Sequence, residues 1–440
     1  MKKKPRVILR RCEEYDADRI RGIIREGMQE LGAGPRGRIL IKPNVVTANK
    51  GYIHHSYTAP LVVESMIDVL RERDSDARIT IGESGGIGIP TRLFFHDSGY
   101  FKLARRTGVP VVDFNEQQCV EVELNRAKHH KTMLVAKALH EAEYKIWMPK
   151  LKYHIVTQIT NALKLNIGIL THKERFLFHD DRLNDKVVDM LELGYPDLIV
   201  TDAITCGRGF ESSPLPFHLG AMIISDHPLA CDAVAARVLS WDPEKVLHLV
   251  EARERGYGSL DLDDIEVSGD VTIDELAETT RDIYSPFQDL QKLDSPVRFY
   301  EGKNRNSRQL CYGGCICSVK GVLGTADAKY PGTVKAAKKG AMVMGLYEGD
   351  VIHPGEPVAI IGDCAGVTGK LEAGKIIRVK GCPVMVKSLM FGVLFRFGIK
   401  SPAWDFWNLV KLVFYTAVKG IMRVTRPFRR RARLEKGVRP

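Results

Sequence analysis

The stretch RILIKPNVV, residues 38–46, decides how the chain is read. It is a short apolar run rich in Ile and Val, the mark of a buried strand. TAPLVVESMIDVLRER (58–73) follows with helical apolar spacing and Thr58 as candidate N-cap. RITIGESGG (78–86) is the next strand and ends in a glycine turn. The alternation continues with a helical stretch near 92–107 and strands at VPVVDF (109–114) and EYKIWMPK (143–150). Helical NDKVVDMLELG (184–194) leads to strand PDLIVTDAI (196–204); strand AMIISD (221–226) leads to helix HPLACDAVAARVL (227–239). This rhythm predicts an α/β fold, layered around a mostly parallel sheet, over residues 1–290.

The polar segment 285–309 holds two prolines and marks the expected domain boundary. Beyond it, residues 291–386 read as a small Gly- and Cys-rich mixed domain, and 387–440 as a basic amphipathic helical tail. A length of 440 residues suits two or three domains, and 44% hydrophobic content suits a buried core.

The net charge of +11 suggests nucleic acid until its distribution is considered. Residues 387–440 carry 13 Lys/Arg and 2 Asp/Glu, and the other 386 residues carry 52 of each sign. The basicity belongs to the tail. MKKKPRVILRRCEE has no apolar stretch of a secretory signal, so a cytoplasmic protein with reduced thiols is expected. Nine cysteines, an odd number, argue for a metal or a reactive thiol over a disulfide framework.

The strand ends carry the candidate chemistry. Lys42-Pro43-Asn44 closes one strand, Gly82-Glu83-Ser84 another, and Pro149 to His154 follows a third. Ligands of open α/β sheets bind beyond the carboxyl ends of the strands, so these residues can converge on one crevice. Lys42, Lys150, Lys152, Lys164 and His154 would make it cationic and suit a phosphate or carboxylate ligand. His154, with a near-neutral titration, suits proton transfer. The adjacent His54 and His55 would point to opposite faces of a strand and do not make a metal site together. No G-x-G-x-x-G follows the strands, so NAD binding lacks its fingerprint.

ILIKPN, TAP, PKLKYHIVTQITNALKLNIG (149–168), DLIVTDAITCGRG (197–209) and SDHPLACDAVAARVL (225–239) together resemble the family known as domain of unknown function 362, over about residues 5–290. The resemblance implies that Lys42, Asn44, Lys150, His154, Thr160, Lys164, Asn166, Asp202 and Asp232 are family positions. It supplies no reaction, but it implies a link to iron–sulfur clusters. The usual ferredoxin-type cysteine run is absent here. We take Lys42, Lys150 and His154 as candidate catalytic residues. Asn44, Lys152, Lys164, Asn166 and Asp202 are candidate substrate-binding residues.

Five cysteines fall in the second unit. CYGGCIC (311–317) holds Cys311, Cys315 and Cys317; Cys364 sits in IIGDCAG and Cys382 in KGCPV. The glycines would let backbone approach cluster sulfides. GDCAG and KGCP resemble loops of cluster-bearing small subunits of multi-subunit oxidoreductases over about twenty residues, with Val384 where a second proline is often found. The spacing lacks the paired C-x2-C knuckles of structural zinc. The expected cofactor is a 4Fe–4S cluster on Cys311, Cys315, Cys364 and Cys382, with Cys317 as the alternative ligand.

In the tail, Asn408, Lys411, Tyr415, Lys419, Arg423 and Arg426 recur on one helical face, opposite Phe406, Leu409, Val410, Val413, Phe414 and Ile421. No run reaches the about 20 apolar residues of a spanning helix. A cationic amphipathic helix with Trp404 and Trp407 fits an anionic membrane surface or a membrane-bound partner, on the inner face of the membrane, and not nucleic acid.

The expectation is an iron–sulfur redox protein that exchanges electrons between an external carrier and an anionic small molecule held in the α/β domain. The alternatives are a non-redox isomerase or lyase on an anionic substrate, and a membrane-associated cluster scaffold.

Overall fold

The computed structural model describes residues 4–86, 89–172, 174–175, 179–283 and 289–425. The chain is a mixed α/β protein built on a large, mostly parallel sheet. Its strands are β1 (Arg6–Arg11), β2 (Arg38–Pro43), β3 (Arg78–Glu83) and β4 (Val111–Asp113). A separate antiparallel hairpin, β5 (Cys119–Glu123) and β6 (Thr132–Ala136), comes next. The large sheet resumes with β7 (Tyr144–Met148), β8 (Lys150–His154), β9 (Gln158–Thr160), β10 (Leu198–Arg208), β11 (Leu215–Ser225) and β12 (Glu266–Gly269). The strand order is β12-β1-β11-β10-β7-β2-β3-β4, with β8 joined to β10 and β9 to β8. β11 runs antiparallel to β1 and β10, and β9 to β8; the remaining pairs are parallel.

Both faces of the sheet are covered. The helix Ala17–Leu31 starts where the Asp16 carboxylate accepts from the Arg19 N–H at 2.7 Å and stops at left-handed Gly32. Its Ile20, Ile23, Ile24, Met28 and Leu31 are buried, and with the helix Pro60–Arg73 they form one apolar layer. The helices Pro228–Val238 and Leu247–Glu254 pack into the other. The helix Pro228–Val238 is buried nearly all round, as its alanine-rich sequence allows.

Two local expectations are corrected. Thr58 is not the N-cap: the helix begins at Pro60 after Ala59, and the Thr58 hydroxyl donates to the Met148 carbonyl at 2.6 Å. Proline at the first helical position has a preset φ and no N–H to satisfy, so no side-chain cap is required. The stretch near 92–107 is two helices, Thr91–Ser98 and Tyr100–Thr107, broken at Gly99, whose φ of 92° ends the first.

The second sheet is wholly parallel: β13 (Val297–Glu301), β14 (Gly340–Tyr347), β15 (Val351–Val367) and β16 (Leu371–Val379), in chain order. β13 lies inside the polar stretch expected to mark a domain boundary. The register stacks Ala341, Val358 and Ile376 on successive strands, so the chain advances by coiling. The helix Cys317–Lys329 and residues 386–399 cover one side of this sheet, with Val319, Leu323, Leu394 and Phe397 in the contact.

Candidate functional site

A cavity of about 470 Å³ lies between the large sheet, the cysteine segment and the C-terminal helix. Its floor is polar. Glu83 comes from the end of β3, Lys152 and His154 from β8, Lys164 from the short helix Ala162–Leu165, and Glu211 from the turn between β10 and β11. These chain segments meet because β2, β3 and β8 run parallel to their neighbours and end on one side.

The lysines there have different fates. Lys42 is buried in an ion pair with Glu83 at 2.9 Å, and Glu83 also accepts the backbone N–H groups of Val45 at 3.2 Å and Ser84 at 2.7 Å. Burial pushes Lys42 down and Glu83 up from their ordinary values, and each partner's charge opposes that shift. Gly168 closes over this pair: a Cβ there would stand 2.0 Å from Glu83 Oε1 and 2.5 Å from Lys42 Nζ. That contact accounts for the glycine in TNALKLNIG. Lys150 is held at 2.9 Å from Asp202 and donates to the Tyr15 hydroxyl at 2.7 Å. Lys152 donates to the carbonyls of Ser56 at 2.6 Å and Glu211 at 3.0 Å; burial lowers it to about 7.

Lys164 makes no hydrogen bond or ion pair among the described residues. Burial lowers it to about 8, and the Glu211 charge opposes the shift. Its helix is fixed from below by Asp232, whose two carboxylate oxygens accept from the N–H groups of Ala162 at 2.8 Å and Leu163 at 3.0 Å. Asp232 is thus a cap that positions Lys164, and burial raises it to about 7.

His154 Nδ1 accepts the backbone N–H groups of Val156 at 3.0 Å and Thr157 at 3.2 Å. That fixes the neutral ring with its proton on Nε2, 3.5 Å from Glu211 Oε1. Burial keeps His154 well below the usual histidine range. His179, also on the wall, is lowered to about 3 by burial and gives its Nδ1 proton to the Arg175 carbonyl at 2.9 Å, leaving the Nε2 lone pair. Glu211 is raised by burial. Its Oε2 and the hydroxyl of Thr160 have no partner among the described residues. Buried polar atoms normally find partners, so orphans on a cavity wall point to a ligand that completes them.

Of the residues singled out from sequence, Lys152, Lys164, His154, Asn44 and Thr160 line this cavity. Lys42, Lys150 and Asp202 are outside its lining and are occupied; Asn166, also outside it, is occupied at its oxygen, while its Nδ2 has no partner among the described residues. The Asn166 side-chain oxygen accepts from the Trp147 indole at 2.8 Å, and Asp202 also accepts the Ala59 N–H at 2.9 Å. Asn44 turns its oxygen to the Val46 N–H at 3.3 Å. Sequence reading missed Glu211 and His179, which sit in turns, and Arg175, which sits in a short helical stretch where its N–H donates to the Thr171 carbonyl at 2.9 Å; none belongs to a recognised motif.

The cysteine segment roofs the floor. Gly313, Cys317 and Pro383 are on the wall. Cys317 faces Glu211 and Lys164, and burial raises its thiol to about 12. Cys311, Cys315 and Cys382 lie within electrostatic reach of one another, and Cys364 within reach of Cys315 and Cys382; Cys315 is in the helical turn Tyr312–Ile316, Cys364 in β15 and Cys382 just after β16. Backbone approaches two of these sulfurs closely: a Cβ on Gly314 would stand 2.5 Å from Cys311 Sγ, and one on Gly362 2.9 Å from Cys315 Sγ. No group of three or more His, Cys, Asp or Glu side chains among the described residues is drawn together for a single metal ion. A zinc would need its sulfurs about 2.3 Å from one point. A cluster spreads its ligands around a larger core, and the soft donor set with glycine on two sulfurs fits that group.

The part of the cavity by the C-terminal helix is mostly apolar, with Leu93, Phe94, Val384, Met390, Leu409 and Leu412 beside the paired polar groups Asn49, Asp97, Asn408 and Lys411. The last two belong to the helix Phe406–Thr425. This helix turns its polar face inward: Asn408 accepts from Asn49 at 3.1 Å, Lys411 pairs with Asp97 at 3.2 Å, and Lys419 reaches His172 at 2.9 Å. Its apolar face looks outward, with Trp407 69%, Val413 61% and Phe414 59% exposed. No described helix is long and apolar enough to cross a membrane. RPFRRRAR (426–433) lies outside the described residues.

No curated protein matches the chain. Among solved structures, lactate racemase apoprotein from Thermoanaerobacterium thermosaccharolyticum is similar at 13% identity and a TM-score of 0.35, over 52% of this chain and 56% of that one. A protein from Thermotoga maritima is similar at 11% identity and a TM-score of 0.33, over 67% of this chain and 63% of that one. The chain therefore spans less than two thirds of either neighbour, and likenesses this slight say nothing about chemistry. The family match is firmer and covers the segment that supplies the cavity floor: residues 39–237 match the family model described as Domain of unknown function (DUF362), the family that the KLKYH and TNALKLNIG segments resemble.

Proposed function

We propose that this chain is an iron–sulfur redox protein whose cavity holds an anionic small molecule next to the cluster. One observation carries the reading: the thiol-bearing segments border the cavity of Lys152 and Lys164, with Gly313 and Pro383, neighbours of the cysteines, in its lining. Cys311, Cys315, Cys364 and Cys382 would hold a 4Fe–4S cluster, which supplies one-electron chemistry. Lys164 would bind the anion by charge and hydrogen bond, and the Glu211 carboxyl would complete it. His154, neutral with its proton on Nε2, and His179, with a lone pair on Nε2, are placed to give and take protons at the floor. With no dinucleotide fingerprint, electrons would be exchanged with an external one-electron carrier.

The inward polar face of the helix Phe406–Thr425 supports a place on an anionic membrane surface, on the cytoplasmic side. A helix that spends its polar residues on the protein and exposes Trp407, Val413 and Phe414 needs an apolar covering. Co-sedimentation with phosphatidylserine–phosphatidylcholine vesicles tests this; wild type should pellet, and a Trp407→Glu, Phe414→Glu double variant should stay in the supernatant.

The cluster is tested by anaerobic preparation. The protein should be brown, with broad absorption near about 400 nm that bleaches on reduction. Turnover that persists with the cluster locked in one oxidation state would favour a non-redox isomerase or lyase; transfer of iron to an apo-acceptor without turnover would favour a scaffold.

A further inference from the structure

We infer that the molecule taken into this cavity is an anionic amphiphile, a phosphate or carboxylate head on a long aliphatic chain, drawn from the membrane surface. The inference rests on the anion-site reading above and adds the chain. The cavity has two chemistries at its two ends. Its floor presents Lys164, the orphaned Glu211 oxygen and the orphaned Thr160 hydroxyl. The wall by the C-terminal helix presents Leu93, Phe94, Val384, Met390 and Leu412, and its polar members there are paired with each other, Asn49 with Asn408 and Asp97 with Lys411. A small hydrophilic anion would satisfy the floor and leave that wall against water. A neutral lipid would cover the wall and leave the Lys164 charge unpaired in a buried site. One ligand with both ends satisfies both.

The C-terminal helix connects the wall to the outside. Leu409, Leu412 and Thr416 line the cavity, while Trp407, Val410, Val413 and Phe414 on the same helix face away from the protein. The apolar wall and the exposed apolar face are thus two sides of one helix, and a chain leaving a lipid surface has one helix to pass. At the far end Lys164, with Lys152 and Arg175 near it, faces Glu211, raised by burial, while Glu83 is already paired with Lys42; an anionic head complements Lys164 when the Glu211 carboxyl is protonated.

Calorimetric titration of the full chain at pH 7 tests this with inorganic phosphate, with butyl, hexyl, octyl and decyl phosphate below their micelle concentrations, and with octanol. Affinity should rise by about fourfold per methylene until the chain fills the cavity. Octyl phosphate should bind at least about tenfold tighter than octanol, and Lys164→Met should erase that difference while keeping the dependence on chain length. Equal affinity for inorganic and decyl phosphate would overturn the amphiphile and leave the anion site standing. Equal affinity for octanol and octyl phosphate in wild type would overturn the anion site and, with it, this inference. No binding of any probe would overturn both.

Discussion

Lys42 and Lys164 stand near the same cavity, and both are buried. Lys42 has a carboxylate 2.9 Å away and a glycine closing over the pair. Lys164 has neither. The first charge is spent on holding β2 to β3; the second is kept for something the chain does not contain. Two lysines that look alike in sequence thus separate by what already neutralises them. The same test divides Lys150, bound to Asp202 and Tyr15, from the cavity wall.

Breaking the structural member should have the largest effect. Lys42→Met strands Glu83 as an unpaired buried carboxylate, and urea unfolding should show a loss of about 3–5 kcal/mol. Lys42→Met with Glu83→Leu should recover most of it. A loss below about 1 kcal/mol in the single variant would mean that the pair does not hold the strands.

Lys164→Met should do the reverse. Stability should fall by less than about 1 kcal/mol, well below the Lys42→Met loss, because Lys164 holds no ion pair among the described residues and only its charge acts on Glu211, which burial already favours in the neutral form. Binding of sulfate should weaken by about 1.5–3 kcal/mol, the usual value of a charged hydrogen bond. A large stability loss with binding intact would exchange the roles assigned to the two lysines.

Titration sharpens the same contrast. Lys164 is lowered to about 8 and binds an anion only as the ammonium, so sulfate affinity should fall as pH rises through that value. Sulfate keeps its charge over this range, so the change reports the protein. Lys152, lowered to about 7, and Glu211, which ionises as pH rises, act in the same direction; Cys317, raised to about 12, stays a thiol. The expected fall is about fivefold between pH 8 and pH 9, measured by calorimetry. An affinity flat across that interval would remove Lys164 from the site.

Much of the large sheet was legible because its strands are continuous apolar runs and its helices carry a 3.6-residue apolar period. β13 was not, since VRFYE is five residues long, carries two charges and lies in a polar stretch. The family positions were legible as residues but not as roles. What separates Lys42 from Lys164 is Glu83, 41 positions along the chain from Lys42, and no local pattern records that pairing. Glu211 and His179 reach the cavity from turns and Arg175 from a short helical stretch, and no local pattern marks any of them as cavity residues. The C-terminal helix showed two faces in sequence; which one the protein would claim depends on Asn49, Asp97 and His172, far away in the chain.

The cysteines permit the most direct test of the account. The thiol of Cys317 faces Glu211 and Lys164, while Cys311, Cys315, Cys364 and Cys382 gather beside it at the helical turn Tyr312–Ile316, in β15 and after β16. Iron content and the EPR spectrum of the reduced, anaerobically reconstituted protein should be compared across the five single Cys→Ser variants. Wild type and Cys317→Ser should each hold about four iron atoms with the same spectrum, and each of the other four variants should lose iron or change the spectrum. A wild-type protein without iron after reconstitution, or loss of the cluster in Cys317→Ser alone, would contradict the account.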